Sequence, residues 1–417
     1  MKCRHCAADL RLPFLDLGHA PPSNAYLKPA GLNSPEAWYP LRLLVCEACW
    51  LVQTDDYAGR DALFTDEYAY FSSYSQSWLD HSRKYVETIL RRFRLGRDSM
   101  VVEIAANDGY LLQYVQVAGV PCYGVEPTAS TATAARRLGL DIVERFFGVE
   151  LAETLASQGR TADVIVANNV LAHVPDINDF VSGFCRLLKP TGVATFEFPH
   201  LLRMVAENQF DTAYHEHYSY LSLTAVEKIF TSNGLMVFDV QQLPTHGGSL
   251  RVYAQRTETG SQPVSESVGK LLELERHAGL KTAAFYAGFQ NQAESVKNKL
   301  LSFLLQARAD GKRVGAYGAA AKGNTLLNFA GVRPDLLPYV VDRNPAKQHQ
   351  YLPGSHIPIV SEERLREHKP DYILVLPWNL KAEIAGQLAY ARREWAARLV
   401  TAVPHLVVDD EVSASVA

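Results

Sequence analysis

The chain has 417 residues, 47% of them hydrophobic and 21% charged, which is the balance of a folded globular protein of roughly two to four domains and excludes disorder, collagen and coiled coil. Lys and Arg number 41 against 45 Asp and Glu, a net charge of −4 without long runs of one sign. Neither a nucleic-acid backbone nor an anionic membrane is therefore an expected partner.

The N-terminal sequence MKCRHC lacks the apolar core of a signal peptide, and no window reaches the roughly 20 apolar residues that cross a bilayer. A cytosolic location is expected. Four of the six cysteines form two CxxC pairs: Cys3 with Cys6 and Cys46 with Cys49. Two short turns of this kind aim four thiolates at one tetrahedral ion, and four protein ligands leave no open position, so the pattern predicts a structural zinc. A redox CxxC is the alternative.

The segment between the cysteine pairs contains LDLGHAPPSNAYL, whose two prolines predict a loop that could face a ligand. Residues 66–98 read as an aromatic loop followed by an amphipathic helix. Short apolar runs then alternate with helical spacing, at 101–108, 122–128, 162–170 and 192–199. This alternation predicts an α/β fold with a parallel, doubly wound sheet.

A helix at 223–233 and an antiparallel strand pair are expected to close this domain near residue 257. The segment from 257 to about 311 is helix-rich. A second alternation follows at 313–328, 337–345 and 371–379 and predicts a second Rossmann-like domain. The expected domains are residues 1–75, 76–257 and 258–417.

The turn after the first strand of the central domain is a candidate cofactor site. In VVEIAANDGYL, Glu103 is expected to end the strand, the turn carries Ala105 and Asn107, and Gly109 opens the next helix. Such a turn suits a cofactor without a pyrophosphate, although it could be an ordinary strand-to-helix turn. Glu126 ends the second strand, where a carboxylate can accept hydrogen bonds from both hydroxyls of a ribose; a solvated strand end is the alternative.

His246 and Gly247 precede a strand of the central domain where glycine allows the backbone to approach a ligand, so the site could extend to them. The C-terminal half offers a second candidate site. Lys322 in GAYGAAAKGN and Asp342 in VVDRNP suggest a holder for a nucleoside diphosphate, with the lysine on phosphate and the aspartate on ribose. A relic of a duplicated domain is the alternative. A P-loop is excluded because Gly323 follows Lys322, and the missing GxGxxG glycines argue against a nicotinamide cofactor.

Taken together, these motifs resemble the bacterial sugar C-methyltransferases that act on nucleotide-linked 4-keto-6-deoxyhexoses. The matching pieces run in order along nearly the whole chain: the paired CxxC motifs, EIAANDG, GVEPT, NNVLAHVPD, YHEHYSYLS, HGGSLRVY and GAYGAAAKGNTLLN with VVDRNPAKQ. Ala106 stands where the family has serine. The resemblance implies a small N-terminal zinc-binding domain, a central class I methyltransferase domain that binds S-adenosylmethionine (SAM), and a C-terminal Rossmann-like domain.

The resemblance also implies catalytic roles. Residues 210–222 form a dense cluster of titratable and aromatic groups, and the family's catalytic tyrosine and histidine fall on Tyr214 and His217. Glu216 is expected as a substrate or imidazole partner, and His217 as the general base. The HEH spacing could instead hold zinc, or the histidines could be structural.

Further site residues follow from the same resemblance. His173 lies past a strand at the rim, where it could donate to the keto oxygen or hold a hydroxyl; a histidine satisfied within its loop is the alternative. Asn168 and Asn169 are expected at the methionine end of SAM. A tyrosine, Tyr68 or Tyr70, is expected over the sugar, unless these rings only pack.

The implied reaction is SAM-dependent methylation of a nucleotide-linked, dTDP-type, 4-keto-6-deoxy sugar, with carbon 3 favoured, by way of an enolate. Methylation at carbon 5 or on oxygen is a second hypothesis. A zinc-ribbon binding module without catalysis is a third, from a different class. The sequence does not set the oligomeric state, and a monomer is consistent with it.

Overall fold

Two stretches of alternating strands and helices fold into two largely parallel sheets, and a third, antiparallel sheet is built mainly from N-terminal residues. The computed structural model describes residues 1–55 and 71–409. Its strands, β1 to β17 in chain order, are Leu12–Ala20, Tyr39–Val45, Val52–Thr54, Val101–Ile104, Cys122–Val125, Ile142–Val143, Ala162–Asn168, Leu188–Pro199, Ser219–Tyr220, Leu235–Leu243, Ser249–Arg256, Val314–Tyr317, Val340–Val341, Ile359–Val360, Tyr372–Val375, Arg398–Thr401 and Val407–Val408.

The α-helices are numbered α1 to α14 in the same way. They are Gln76–Arg92, Leu112–Val117, Ala129–Arg137, Val149–Ser157, Ile177–Leu187, Leu201–Ala206, Leu223–Ser232, Glu266–His277, Ala283–Tyr286, Phe289–Ala309, Ala321–Ala330, Glu363–His368, Lys381–Gln387 and Ala389–Trp395. Within the described part of the chain, no helix combines the length and apolar character needed to cross a membrane.

The central sheet has the strand order β10-β11-β8-β7-β4-β5-β6. Strands β4 to β8 run parallel, and β10 and β11 close the sheet as an antiparallel pair. All four residues of β4 are buried, as expected for a parallel strand covered on both faces. The C-terminal sheet, in the order β14-β13-β12-β15-β16-β17, is parallel except at β17. The α/β fold class predicted from the sequence is confirmed.

The N-terminal sheet, in the order β1-β2-β3-β9, takes its last strand from far along the chain. Strand β9 belongs to the polar cluster at 210–222, and it pairs with β3 through Val52 opposite Tyr220 and Gln53 opposite Ser219. On the other side, Phe14 of β1 stacks on Phe289 of α10, with 4.6 Å between ring centroids. The N-terminal sheet therefore contacts both the catalytic candidates and the helical segment before the C-terminal sheet.

A buried carboxylate fixes the start of α7, which follows the polar cluster. Glu275 of α8 is fully buried and accepts hydrogen bonds from the backbone N–H groups of Leu223 (2.7 Å) and Thr224 (2.8 Å) and from His200 Nε2 (2.8 Å). Burial acts to raise the pKa of Glu275, but the bond from His200 and its charge hold that pKa below 4.5. The ionised carboxylate thus satisfies otherwise unbonded N–H groups at the positive end of a helix.

We expect Glu275→Gln to lower the free energy of unfolding by about 1.5–3 kcal/mol at pH 7, because bonds to a charged acceptor are lost. The native pKa is depressed, so this stabilisation is present at neutral pH and is lost as the pH falls from 4.5 through the native pKa. Urea unfolding of both proteins at pH 7 and pH 4 measures it. Glu273→Gln, at an exposed site on the same helix, is the control. Equal stability of Glu275→Gln and wild type at pH 7 would contradict this role.

Candidate active site

The four N-terminal cysteines converge. Their Sγ atoms all lie within 4.8 Å of one another, with 3.6 Å between Cys3 and Cys49 and 3.5 Å between Cys6 and Cys46. A tetrahedral ion with bonds of about 2.3 Å holds its ligands roughly 3.8 Å apart, so the four thiolates fit zinc. In the described ranges this is the one cluster of three or more metal-type ligands, and it does not include the histidines at 215 and 217.

The cysteine cluster is bonded directly to β3. Gln53 donates from Nε2 to Cys3 Sγ at 3.3 Å and accepts from the backbone N–H of Arg4 at 2.9 Å. The Arg4 side chain donates to the carbonyl of Thr54 at 3.2 Å. Thr54 Oγ1 donates in turn to the backbone carbonyl of His217 at 3.2 Å. A chain of bonds therefore connects the zinc ligands to the backbone of the predicted base.

The predicted cofactor turn follows β4 at the carboxyl edge of the central sheet, where ligands bind in such folds. Ala105, Asn107 and Gly109 have φ values of 59°, 49° and 82°, a left-handed conformation that residues other than glycine adopt with strain, most often at ligand sites. A Cβ at Gly109 would stand 2.5 Å from the side chain of Leu140. The sequence thus builds a sharp turn at the carboxyl end of β4.

Glu126 lies next to this turn and is 5% exposed. Its Oε2 accepts from the backbone N–H of Asn107 at 2.9 Å, and its Oε1 accepts from Thr128 N–H and Thr131 Oγ1 at 3.0 Å each. Burial raises the pKa of Glu126, and these hydrogen bonds oppose the rise. Because each carboxylate oxygen can accept more than one bond, Glu126 can brace the turn and still bind hydroxyl groups.

Asn168 ends β7 beside the turn and is 5% exposed. Neither of its amide atoms has a hydrogen-bond partner within residues 1–55 and 71–409, and an unsatisfied buried polar group costs about 1–3 kcal/mol. A bound ligand is expected to supply the partner, so the site fits the predicted SAM.

Asn169 donates from Nδ2 to His246 Nε2 at 3.1 Å. Glu103 is fully buried within β4, which ends one residue later than expected, and burial raises its pKa well above 4.5.

Three predicted catalytic residues meet in one cluster. The ring of His217 lies 4.6 Å from that of His173 and 3.9 Å from that of Tyr214. His217 Nδ1 lies 2.8 Å from the carbonyl oxygen of Thr212, and His173 Nδ1 lies 2.9 Å from that of Glu216. Because a carbonyl only accepts, each Nδ1 carries the proton, and the lone pair of each neutral ring is on Nε2.

Burial keeps both imidazoles neutral. It lowers the pKa of His173 to about 4. Burial lowers the pKa of His217 well below 6.5, and the neighbouring His173, Lys322 and His246 act in the same direction. His217 is therefore unprotonated at neutral pH, which is the state that a general base requires.

The Glu216 carboxylate faces the loop between the two cysteine pairs. Its Oε1 accepts from the backbone N–H of Asn24 at 3.1 Å and from Asn24 Nδ2 at 3.2 Å, while burial raises its pKa. Ser23 Oγ lies 3.3 Å from Thr325 Oγ1, and Tyr26 donates to the carbonyl of Ala319 at 2.6 Å. The PPSNAY loop thus joins the catalytic candidates to the turn after β12.

Asp342 and Lys322, the two residues predicted to hold a nucleoside diphosphate, make different contacts. Asp342 repeats the arrangement of Glu126: it accepts from the backbone N–H groups of Ala319 and Asn344, each at 2.8 Å. Lys322 does not lie apart from the catalytic candidates, since its charge helps to lower the pKa of both His217 and His246. Gly247 lies against Trp378, where a Cβ would stand 2.5 Å from the indole ring.

Tyr68 and Tyr70 lie outside the described residues. Several residues of the site were not predicted from the sequence: Arg4, Asn24, Thr54, Trp78, Asp211 and Trp378. The only signals for any of them were the prolines of the PPSNAY loop and the position of Asp211 within the polar cluster at 210–222. Trp78, whose ring centroid lies 5.1 Å from that of His246, carried none.

Known sequence families match three successive parts of the chain. Residues 3–64 match the family described as "Putative zinc binding domain", residues 77–240 a methyltransferase domain, and residues 244–404 the C-methyltransferase C-terminal domain. The C-methyltransferase NovU of Streptomyces niveus is 34% identical over 383 residues, which cover 92% of this chain and 91% of that protein.

Two solved structures each resemble less than half of this chain. Magnesium protoporphyrin IX methyltransferase from Synechocystis PCC 6803, with bound SAH, is 15% identical and covers 43% of this chain and 83% of its own, with a TM-score of 0.35. The PH0226 protein of Pyrococcus horikoshii OT3 is 14% identical and covers 45% and 95%, with a TM-score of 0.37. Likenesses this low carry no information on function.

Proposed function

Because this chain belongs to the family of SAM-dependent C-methyltransferases with a zinc-binding N-terminal part, we propose that it methylates a nucleotide-linked 4-keto-6-deoxy sugar at carbon 3. The favoured nucleotide is dTDP. The observation that supports the proposal best is the pair His173 and His217, both neutral, with Nδ1 bonded to backbone carbonyls. SAM supplies a methyl group made electrophilic by its bond to a positively charged sulfur.

His217 removes the proton from carbon 3, which the adjacent ketone acidifies. The C–H pair forms the carbon–carbon double bond of the enolate, the carbonyl pair moves to oxygen, and the proton goes to His217 Nε2. Tyr214, whose ring is tilted by 32° against the imidazole at 3.9 Å between ring centroids, holds the imidazole in place. Bound SAM would supply the methyl group to this carbon: the new carbon–carbon bond would form as the carbon–sulfur bond breaks, with its electron pair left on sulfur, and the ketone would re-form.

His173 binds a sugar hydroxyl. Of the two roles expected for it, donation to the keto oxygen would need a proton on Nε2, but the proton is on Nδ1 and a pKa of about 4 keeps the ring neutral. Nε2 is then an acceptor, which suits a hydroxyl and not a carbonyl. A separate group must stabilise the keto oxygen.

The central α/β domain binds SAM, and the C-terminal α/β domain binds the nucleotide part of the substrate. Glu126, Asn107 and Asn168 hold SAM, with the carboxylate of Glu126 on its ribose. Asp342 takes the nucleotide part of the substrate. The common arrangement of Glu126 and Asp342, each bonded to two backbone N–H groups, supports the same task in both halves.

The direct test is to incubate the purified protein with SAM and a panel of nucleotide-linked 4-keto sugars and to read the product by mass and NMR. We expect one methyl group on carbon 3. A methyl group on oxygen or on carbon 5 would contradict the assigned position. Binding of SAM without turnover of any 4-keto sugar would contradict the substrate class.

We expect Glu126→Gln to weaken SAM binding by about 1–3 kcal/mol, because one charged acceptor of ribose hydroxyls is lost. Calorimetric titration with SAM measures this. Asp141→Asn, an exposed carboxylate at the edge of the same sheet, is the matched control and should leave the affinity unchanged. An unaltered dissociation constant for Glu126→Gln would remove Glu126 from the cofactor site.

A further inference from the structure

Lys322 belongs to the C-terminal half of the chain but lies on the face of α11 that contacts the catalytic segment. Thr325, one turn further along the helix, donates from Oγ1 to the carbonyl of Ala213 at 2.8 Å, directly before Tyr214. Residues three apart on a helix share a face. Lys322 therefore faces the segment that carries Tyr214 and His217.

The loop after β15 holds the ammonium group in this position. Lys322 Nζ donates to Asn379 Oδ1 at 2.8 Å and lies 4.6 Å from the ring centroid of Trp378. Trp378 Nε1 donates to Asp211 Oδ2 at 2.8 Å, and its ring packs against Gly247. The indole therefore contacts the Lys322 side chain, Asp211 of the polar cluster, and Gly247 next to His246.

The Lys322 charge is poorly compensated. Its bonded partner is a neutral amide, and none of the carboxylates in the described ranges lies within ion-pair distance of it. Burial lowers the pKa of Lys322, and the more distant Asp211 raises it. A desolvated cation that has no carboxylate within ion-pair distance still attracts negative charge.

We propose that Lys322 stabilises the negative charge that develops on the substrate's keto oxygen when His217 removes the neighbouring proton. This inference rests on the proposed function and adds a catalytic residue to it. The proton moves to His217 Nε2, the electron pair moves to oxygen, and the oxyanion lies beside the ammonium group. When the methyl group is transferred, the ketone re-forms and the charge on oxygen disappears.

The same residue explains two features of the site. His173 is in a tautomer that cannot donate to the keto oxygen, so the reaction requires another electrophile. A cation close to His217 also disfavours its protonation in the resting enzyme. Lys322 supplies the electrophile and helps to keep the base neutral.

The test compares Lys322→Met with Lys297→Met, which removes another lysine that lies over an aromatic ring, 4.7 Å from the Phe329 centroid. Two quantities are measured: the rate of solvent deuterium exchange at carbon 3 with saturating substrate and no SAM, and the dissociation constant of the nucleotide sugar. We expect Lys322→Met to reduce exchange by about 10²-fold, the effect of removing one oxyanion donor, with affinity changed less than tenfold. Lys297→Met should match the wild type.

A loss of substrate affinity with normal exchange at saturation would overturn the proposal and assign Lys322 to phosphate, as the sequence alone suggested. Normal exchange with normal affinity would also overturn it. If Lys322→Met does not fold, Lys322→Gln carries the same expectations, and Lys322→Arg should restore part of the exchange rate. Failure of the wild type to exchange any 4-keto sugar is a different result, since it would contradict the proposed function itself.

Discussion

Replacing His217 with asparagine is expected to reduce methyl transfer by roughly 10²-fold or more, the usual contribution of a general base. The amide can still donate to the Thr212 carbonyl, as Nδ1 of His217 does at 2.8 Å, so the segment should keep its backbone. It has no lone pair basic enough to remove the proton. Zinc content and SAM affinity should be unchanged, and turnover is measured with saturating SAM and nucleotide sugar.

His215→Asn is the matched control, because His215 lies two positions away and turns towards the carbonyl of Tyr39, 3.3 Å from its Nε2. It should retain methyl transfer within several-fold of the wild type. The wild-type pH profile gives a further check. Because the pKa of His217 is held well below 6.5, its base form persists as the pH falls, and the acid limb of kcat/KM should lie below pH 6.5. Equal losses in both variants would contradict a special role for His217.

Cys46→Ser is expected to abolish zinc binding and to destabilise the N-terminal sheet, since the binding free energy of a structural zinc, about 10–16 kcal/mol at neutral pH, is folding free energy. Methyl transfer should fall with it. Three contacts connect the cysteine cluster to the catalytic segment. Gln53 of β3 donates to Cys3, β3 pairs with β9, and Thr54 donates to the carbonyl of His217.

Elemental analysis, thermal unfolding and turnover measure the three effects together. Cys122→Ser is the control, because Cys122 stands alone on β5 and should leave one zinc per chain. A zinc-free Cys46→Ser protein with normal stability would contradict the structural role. Normal stability of that variant with reduced turnover would instead indicate that the metal acts in catalysis.

Local patterns in the sequence were sufficient to predict the strands and helices. They also predicted those parts of the site that come from a single segment of the chain. The CxxC spacing predicted the convergence of the four cysteines, and the alternation of apolar runs predicted the parallel sheets with the antiparallel pair β10 and β11. The dense group of titratable and aromatic residues at 210–222 indicated the segment that carries Tyr214 and His217, whose ring centroids lie 3.9 Å apart. In each of these cases the deciding interactions are between near neighbours or follow from strand and helix periodicity.

Contacts between distant segments could not be predicted from these local patterns. Nothing in the short sequence SY at 219–220 indicates that it joins β3 across more than 160 residues, because pairing is set by the packing of whole sheets. Lys322 is a similar case: its own turn predicted a phosphate contact, and no local pattern indicated which segment packs beside it. Its approach to His217 depends on how α11 packs against the catalytic segment, through Thr325 and Ala213.

The most direct test of base-catalysed methylation is proton exchange without methyl transfer. Wild-type protein and His217→Asn are incubated in D₂O with a nucleotide-linked 4-keto-6-deoxy sugar and no SAM, and loss of the proton signal at carbon 3 is followed by NMR. We predict exchange by the wild type and a rate lower by roughly 10²-fold or more in the variant. Exchange at the wild-type rate in His217→Asn, with methyl transfer lost, would contradict the account, because His217 would then only position the substrate.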